Sequence, residues 1–169
     1  RQLLSHSAGL SYGLFEPGSV MGEACIAAKV LSPLATLAQM VDTLGTLPLA
    51  FHPGTGWEYS VATDVLARLV EVASGERFDA YLQTHLCQPL GLQDTGFVVR
   101  PEDQHRLASY YLGADLLQPL LPGLTNVDAT QPYPGAYLQA VPRLSGGGGL
   151  VTSLPDMVAL MRSLLPGGH

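Results

Sequence analysis

Between Phe51 and Gly75 the sequence leaves the chain little choice: a glycine-rich loop runs straight into an amphipathic helix. Pro53, Gly54 and Gly56 punctuate the loop, and Ser60 follows as a candidate N-cap, able to accept from the free N–H groups of a first turn. Val61, Val65, Leu66, Leu69, Val70 and Ala73 then recur at helical spacing on one face, with Asp64, Arg68 and Glu71 on the other. Gly75 ends the helix, because glycine adopts the left-handed stop at little cost. This places Tyr59 at a helix entrance, where the positive end of the peptide dipoles favours a phenolate. A phenol of ordinary pKa, about 10, is a poor base at neutral pH, so a nearby cation is also required. The sequence offers no obvious one.

Composition narrows the classes of function. The 169 residues are 47% hydrophobic and 13% charged, with a formal net charge of −6, enough for a sizeable core in one domain. Eight scattered Lys and Arg residues argue against a nucleic-acid surface or an anionic-membrane footprint. No apolar run approaches the roughly 20 residues of a membrane-spanning helix. Cys25 and Cys87 lack any CxxC or Cys/His spacing and read as two buried thiols. The five dispersed histidines form no HExxH or HxH pair, so neither a metal nor another cofactor is expected.

Elsewhere the pattern is mostly helix and loop with little strand. Residues 1–10 read as the end of a helix followed by a glycine turn, with His6 a hydrogen-bonded structural residue, and residues 11–31 read as a loop. Ser32 and Pro33 are expected to open a helix whose stripe is Leu34, Leu37, Ala38, Val41 and Leu44. Phe78 to Leu86 predicts a short helix ended by Pro89 and Gly91, Asp94–Val99 a short strand, and residues 101–108 one or two helical turns. Five prolines between 113 and 142 predict a long irregular loop. Gly146–Gly149 lack the lysine of a phosphate cradle and are assigned to close packing. Ser153 and Asp156 cap a last helix whose core face is Met157, Val158, Met161, Leu164 and Leu165.

Four blocks carry a family resemblance. Leu3–Leu10 resembles the LLTHTSGL segment of the serine β-lactamase-like superfamily, which holds class C β-lactamases, D-Ala-D-Ala carboxypeptidases and family VIII carboxylesterases. Pro53–Ser60 is similar to its PGxxWxYSN block, Pro89–Phe97 to PLGMxDTGF, and Ser145–Ser153 to SGGGGLVST, all in the family's order. The resemblance implies the mostly α, helical subdomain of a β-lactamase/transpeptidase-like α/β fold. Residues 1–169 would then form a single partial domain, without the SxxK part upstream or the third motif (KTG or HxG) downstream.

The same resemblance implies acyl-enzyme chemistry on a small-molecule ester or amide, with the SxxK serine as nucleophile and Tyr59, helped by the motif lysine, as general base. Val61 stands at the substrate-binding asparagine position of YxN, and valine offers no hydrogen bond to a substrate amide. That favours esters over β-lactams or D-Ala peptides, and without the SxxK serine and lysine the chain by itself is expected to be inert. The alternative is a non-catalytic binding or scaffold protein on the same fold. Trp57 is expected to pack beneath the site, and residues 113–142 to border the cleft and set acyl preference.

Overall fold

A computed structural model describes residues 1–14, 18–113, 123–130 and 132–167. The chain divides into two compact units, residues 1–96 with 141–169, and residues 97–140.

The first unit opens on a helical turn. The Ser5 N–H bonds the Arg1 carbonyl, Ser7 N–H reaches Gln2 at 2.9 Å and His6 N–H reaches Leu3 at 3.3 Å. With His6 at φ 52°, this is the paired-bond stop that ends a helix, and a histidine fills the left-handed position usually given to glycine. The expected helix ending is therefore present. Residues 11–31, expected as loop, contain α1 (Val20–Ala27), capped by Ser19, whose side chain accepts from Gly22 N–H. The sequence hides this helix because its apolar residues surround it instead of lying on one face.

The second helix, α2 (Leu37–Leu44), begins later than expected. Its cap is Thr36, whose Oγ1 accepts from Gln39 N–H at 3.2 Å while the Gln39 side chain accepts from Thr36 N–H at 2.9 Å. That reciprocal box satisfies two orphan donors at once, so it outcompetes Ser32–Pro33 as the start. Leu37, Met40 and Leu44 face inward with Met21, Cys25, Val30 and Val61. Burying each such side chain is worth about 1.5–3 kcal/mol.

Next comes α3 (Ala62–Ser74), ended by Gly75 at φ 75° as predicted. Two details of its start differ from expectation. Its N-cap is Val61, with no side-chain cap, because Ser60 is turned toward His6. Asp64, expected on the outer face, is 0% exposed. After α4 (Phe78–Leu82), a wide π turn over Gln83–Cys87 leads into α5 (Gln88–Leu90). Pro89 lies inside this run and does not end it: the wider register relieves the ring's crowding of the carbonyl four residues back, and Gly91 at φ 67° makes the stop.

Asp94–Val99, expected as a strand, contributes only one antiparallel bridge, Gly96 with Val151. Instead the segment is held by a side chain. Asp156 accepts from Asp94 N–H at 2.8 Å and from the Thr95 hydroxyl at 2.7 Å. Asp156 also anchors the start of α6 (Leu154–Ser163), whose N-cap is Ser153 as predicted. The predicted core face of α6 is corrected: Met161 is 58% exposed and Leu164 74%, and Met157, Val158 and Leu165 are exposed too. That apolar face stands largely exposed in the described residues. Both cysteines are buried and neither is in a disulfide, and burial pushes the Cys87 thiol up.

In the second unit, Pro101–Arg106 forms a 3₁₀ helix, and β1 (Tyr111–Leu112) pairs antiparallel with β2 (Thr125–Asn126). Of this pair, β2 falls inside the segment expected as an irregular loop. Residues 114–122 and 131 of that expectation lie outside the described residues. Tyr137 is buried at φ 64°, and its carbonyl accepts from Val99 N–H at 2.8 Å.

Candidate active site

Two of the four sequence blocks meet here. The Ser7, His6 and Gly9 carbonyls accept from the N–H groups of Gly54 (2.7 Å), Glu58 (3.0 Å) and Ala50 (2.8 Å), so the loop 50–60 is laced onto residues 6–9. Gly9 must be glycine: a Cβ there would stand 2.3 Å from the Phe51 carbonyl oxygen. The lacing fixes the path of the chain through Tyr59.

His6 Nδ1 accepts from Ser60 N–H at 3.2 Å and lies 3.4 Å from Ser60 Oγ. A backbone N–H can only donate, so Nδ1 carries no proton and neutral His6 holds its hydrogen on Nε2. The imidazole also lies against the Tyr59 ring, centroids 4.9 Å apart, and edge-on to Trp57 at 6.4 Å. His6 is hydrogen-bonded, as expected.

Tyr59 is 47% exposed. Its ring is tilted against Tyr12 at a centroid distance of 5.2 Å. The Tyr12 phenol is pushed up to about 12, first by burial, then by the charge of Asp64 and by Tyr59, while a hydrogen bond with Thr63 acts the other way. The hydrogen bond between the Tyr12 and Tyr59 side chains acts in the raising direction on Tyr12.

Behind Tyr12 stands a buried pair. Asp64 Oδ1 lies 3.6 Å from the Arg143 guanidinium, whose side chain is 12% exposed. Neither Asp64 oxygen has a hydrogen-bond partner in the described structure. The glycine run explains how Arg143 reaches this point. A Cβ on Gly146 would sit 2.6 Å from the Thr63 carbonyl, and one on Gly147 would sit 2.8 Å from both Thr63 Oγ1 and the Tyr12 hydroxyl. The run is a close-packing element against the start of α3, as the sequence implied.

On the open side of Tyr59 is a cleft of about 630 Å³, lined by Ser19, Val20 and Met21 of the α1 entrance, by Pro48–Ala50 and by Trp57–Tyr59. Trp57, expected beneath the site, is 69% exposed on this wall. Val61 does not line the cleft: it is 0% exposed inside the apolar cluster behind it. Sequence reasoning missed Tyr12, Asp64 and Arg143, because their significance comes from contacts between segments far apart in the chain. No cluster of three or more His, Cys, Asp or Glu able to hold a metal occurs among the described residues.

The family model for Beta-lactamase matches residues 1–169, and the chain belongs to that family. It is 41% identical over 97 residues to esterase EstB of Burkholderia gladioli, covering 57% of this chain and 25% of EstB. It is 31% identical over 167 residues to the lovastatin esterase of Penicillium rubens, covering 98% of this chain and 39% of that protein. Among solved structures, EstCE1, described as a hydrolase with promiscuous acyltransferase activity, superposes with a TM-score of 0.78 at 27% identity, over 97% of this chain and 45% of EstCE1. The fold is thus the mostly helical part of the β-lactamase/transpeptidase-like fold. The chain spans less than half the length of each of these relatives.

Proposed function

We propose that this chain is the tyrosine-bearing part of a serine hydrolase that forms and transfers an acyl group from small-molecule esters, with Tyr59 as general base. The observation that carries this reading is the setting of Tyr59: a half-exposed phenol on the wall of a cleft, its ring held between those of Tyr12 and His6.

In the proposed cycle a serine hydroxyl from the rest of the protein attacks the ester carbonyl and gives its proton to the Tyr59 phenolate. The tetrahedral intermediate collapses, the alkoxide leaves, and Tyr59 returns the proton to it. Water or a second alcohol then repeats the sequence on the acyl-enzyme, releasing acid or a new ester. The serine and its lysine lie outside residues 1–169, so the isolated chain is inert. Val61 is buried in the apolar cluster and offers a substrate neither donor nor acceptor. The exposed apolar face of α6 fits a chain that packs against further protein.

The test is acyl transfer from a short-chain p-nitrophenyl ester by the full-length protein. Tyr59→Phe is expected to lower kcat/KM by about 10²–10⁴-fold, the range of general-base catalysis. Activity within about threefold of the unaltered protein would reject the assignment, as would hydrolysis by residues 1–169 alone that Tyr59→Phe abolishes.

A further inference from the structure

The geometry points to His6 as the positioning residue of Tyr59: its carbonyl and its imidazole together fix the backbone on both sides of the tyrosine and the tilt of the phenol ring. This rests on the reading of Tyr59 as the base and adds to it the residue that aims the base.

Both neighbours of Tyr59 in the chain are bonded to His6. Glu58 N–H donates to the His6 carbonyl at 3.0 Å, and Ser60 N–H donates to Nδ1 at 3.2 Å. One residue thus clamps the backbone before and after Tyr59, which sets the direction in which the phenol leaves the chain. Ser60 is 1% exposed, so the second bond is shielded from competing solvent. The imidazole then lies against the Tyr59 ring, tilted by 44° at a centroid distance of 4.9 Å, and Tyr12 adds a second ring at 5.2 Å. For a half-exposed tyrosine these neighbours restrict side-chain rotation that solvent would leave open. The backbone of His6 points the same way. It stands at φ 52° where a helical turn stops, and glycine makes such a stop without the steric penalty. What histidine adds there is its side chain, and backbone strain of this kind collects where the surrounding structure makes use of it. A base must stand within about 2.6–3.2 Å of the proton that it takes, and a misplacement of about 1 Å costs on the order of 10²-fold in rate.

The experiment follows hydrolysis of a short-chain p-nitrophenyl ester by the full-length protein, with kcat corrected to the folded fraction from denaturant curves. His6→Gly keeps the carbonyl that holds Glu58, relieves the backbone and removes the imidazole. It is expected to lower kcat by about 10–10²-fold while KM stays within about threefold. The less stable His6→Ala should be at least as active as His6→Gly, whereas a purely structural role makes activity follow stability. His6→Asn tolerates the left-handed backbone and offers an oxygen in place of Nδ1, but no ring. Its kcat is expected between those of His6→Gly and the unaltered protein, and it serves alone if the other two fail to fold. A kcat within about threefold of the unaltered protein in His6→Gly, activity that rises with stability from alanine to glycine, or full activity in His6→Asn overturns the inference. Tyr59→Phe keeps the two readings apart. In that background His6→Gly is expected to cost less than about threefold more, because a positioning residue acts only through what it positions. An undiminished second loss there overturns the inference and leaves the base assigned; turnover untouched by Tyr59→Phe itself overturns the reading beneath.

Discussion

Ser60 and His6 are joined twice, through the Ser60 N–H to Nδ1 at 3.2 Å and through Oγ to the same nitrogen at 3.4 Å. The serine that the helix pattern offers as an N-cap is spent instead on fixing an imidazole beside Tyr59. His6 holds that place from a left-handed backbone conformation at φ 52°, which a side-chain-bearing residue adopts at some cost.

His6→Ala leaves a buried N–H without its acceptor and keeps the unfavourable backbone. It is expected to destabilise the protein by about 1–3 kcal/mol. His6→Gly loses the same bond but relaxes the backbone, so it should be the milder change. Denaturant midpoints for the two variants check the order; an alanine variant at least as stable as the glycine one would contradict it.

Arg143→Met removes the counter-charge from a fully buried Asp64, and the expected cost is about 3–5 kcal/mol. Adding Asp64→Leu to that variant removes the stranded charge and should recover much of the loss. A double-mutant cycle by chemical denaturation reads the coupling, and simple additivity would show that the pair does not interact.

Raising pH should weaken the fold through Tyr12. Its folded pKa, pushed to about 12, lies above the unfolded value of 10.0, so its contribution is fully present below pH 10.0 and is lost as pH rises through about 12. Stability followed across that window should fall less steeply in Tyr12→Phe than in the unaltered protein. Because burial leads the shift and Asp64 follows, Asp64→Asn should lower the Tyr12 midpoint without abolishing its elevation, as read by phenolate absorbance.

The glycine run should be unequal along its length. Gly146→Ala drives a methyl to 2.6 Å from a backbone carbonyl that cannot move aside, an overpacking cost of about 1–3 kcal/mol. Gly148→Ala meets nothing within 4 Å and is expected to be neutral or slightly stabilising. Thermal midpoints of the two variants separate local packing from a general need for flexibility.

Local chemistry in the sequence explains what was readable. Gly75 announced the end of α3 and Ser153 the start of α6, since each acts within a turn of its own position. The family blocks pointed to Tyr59 and to the close-packed glycines. Three kinds of feature were opaque. Helix stops made by His6 and Lys29, both at φ 52°, lack the glycine that signals such a stop. The start of α2 was misplaced because Ser32–Pro33 and Thr36–Gln39 are both plausible caps, and only the hydrogen bonds decide between them. Asp64 looked like a surface charge at helical spacing because its partner, Arg143, lies far along the chain. The apolar stripe of α6 was read as core by its period, yet a period shows that a face wants cover and not whether these residues supply it.

The clasp between His6 and Ser60 bridges 54 positions of chain. Closing so wide a circuit is an entropic hurdle that local helix formation does not meet, and such non-local pairings set the pace at which a chain reaches its native state. The surroundings of Tyr59 are therefore expected to order with that long-range closure rather than with the local hydrogen bonds that build α2 and α3.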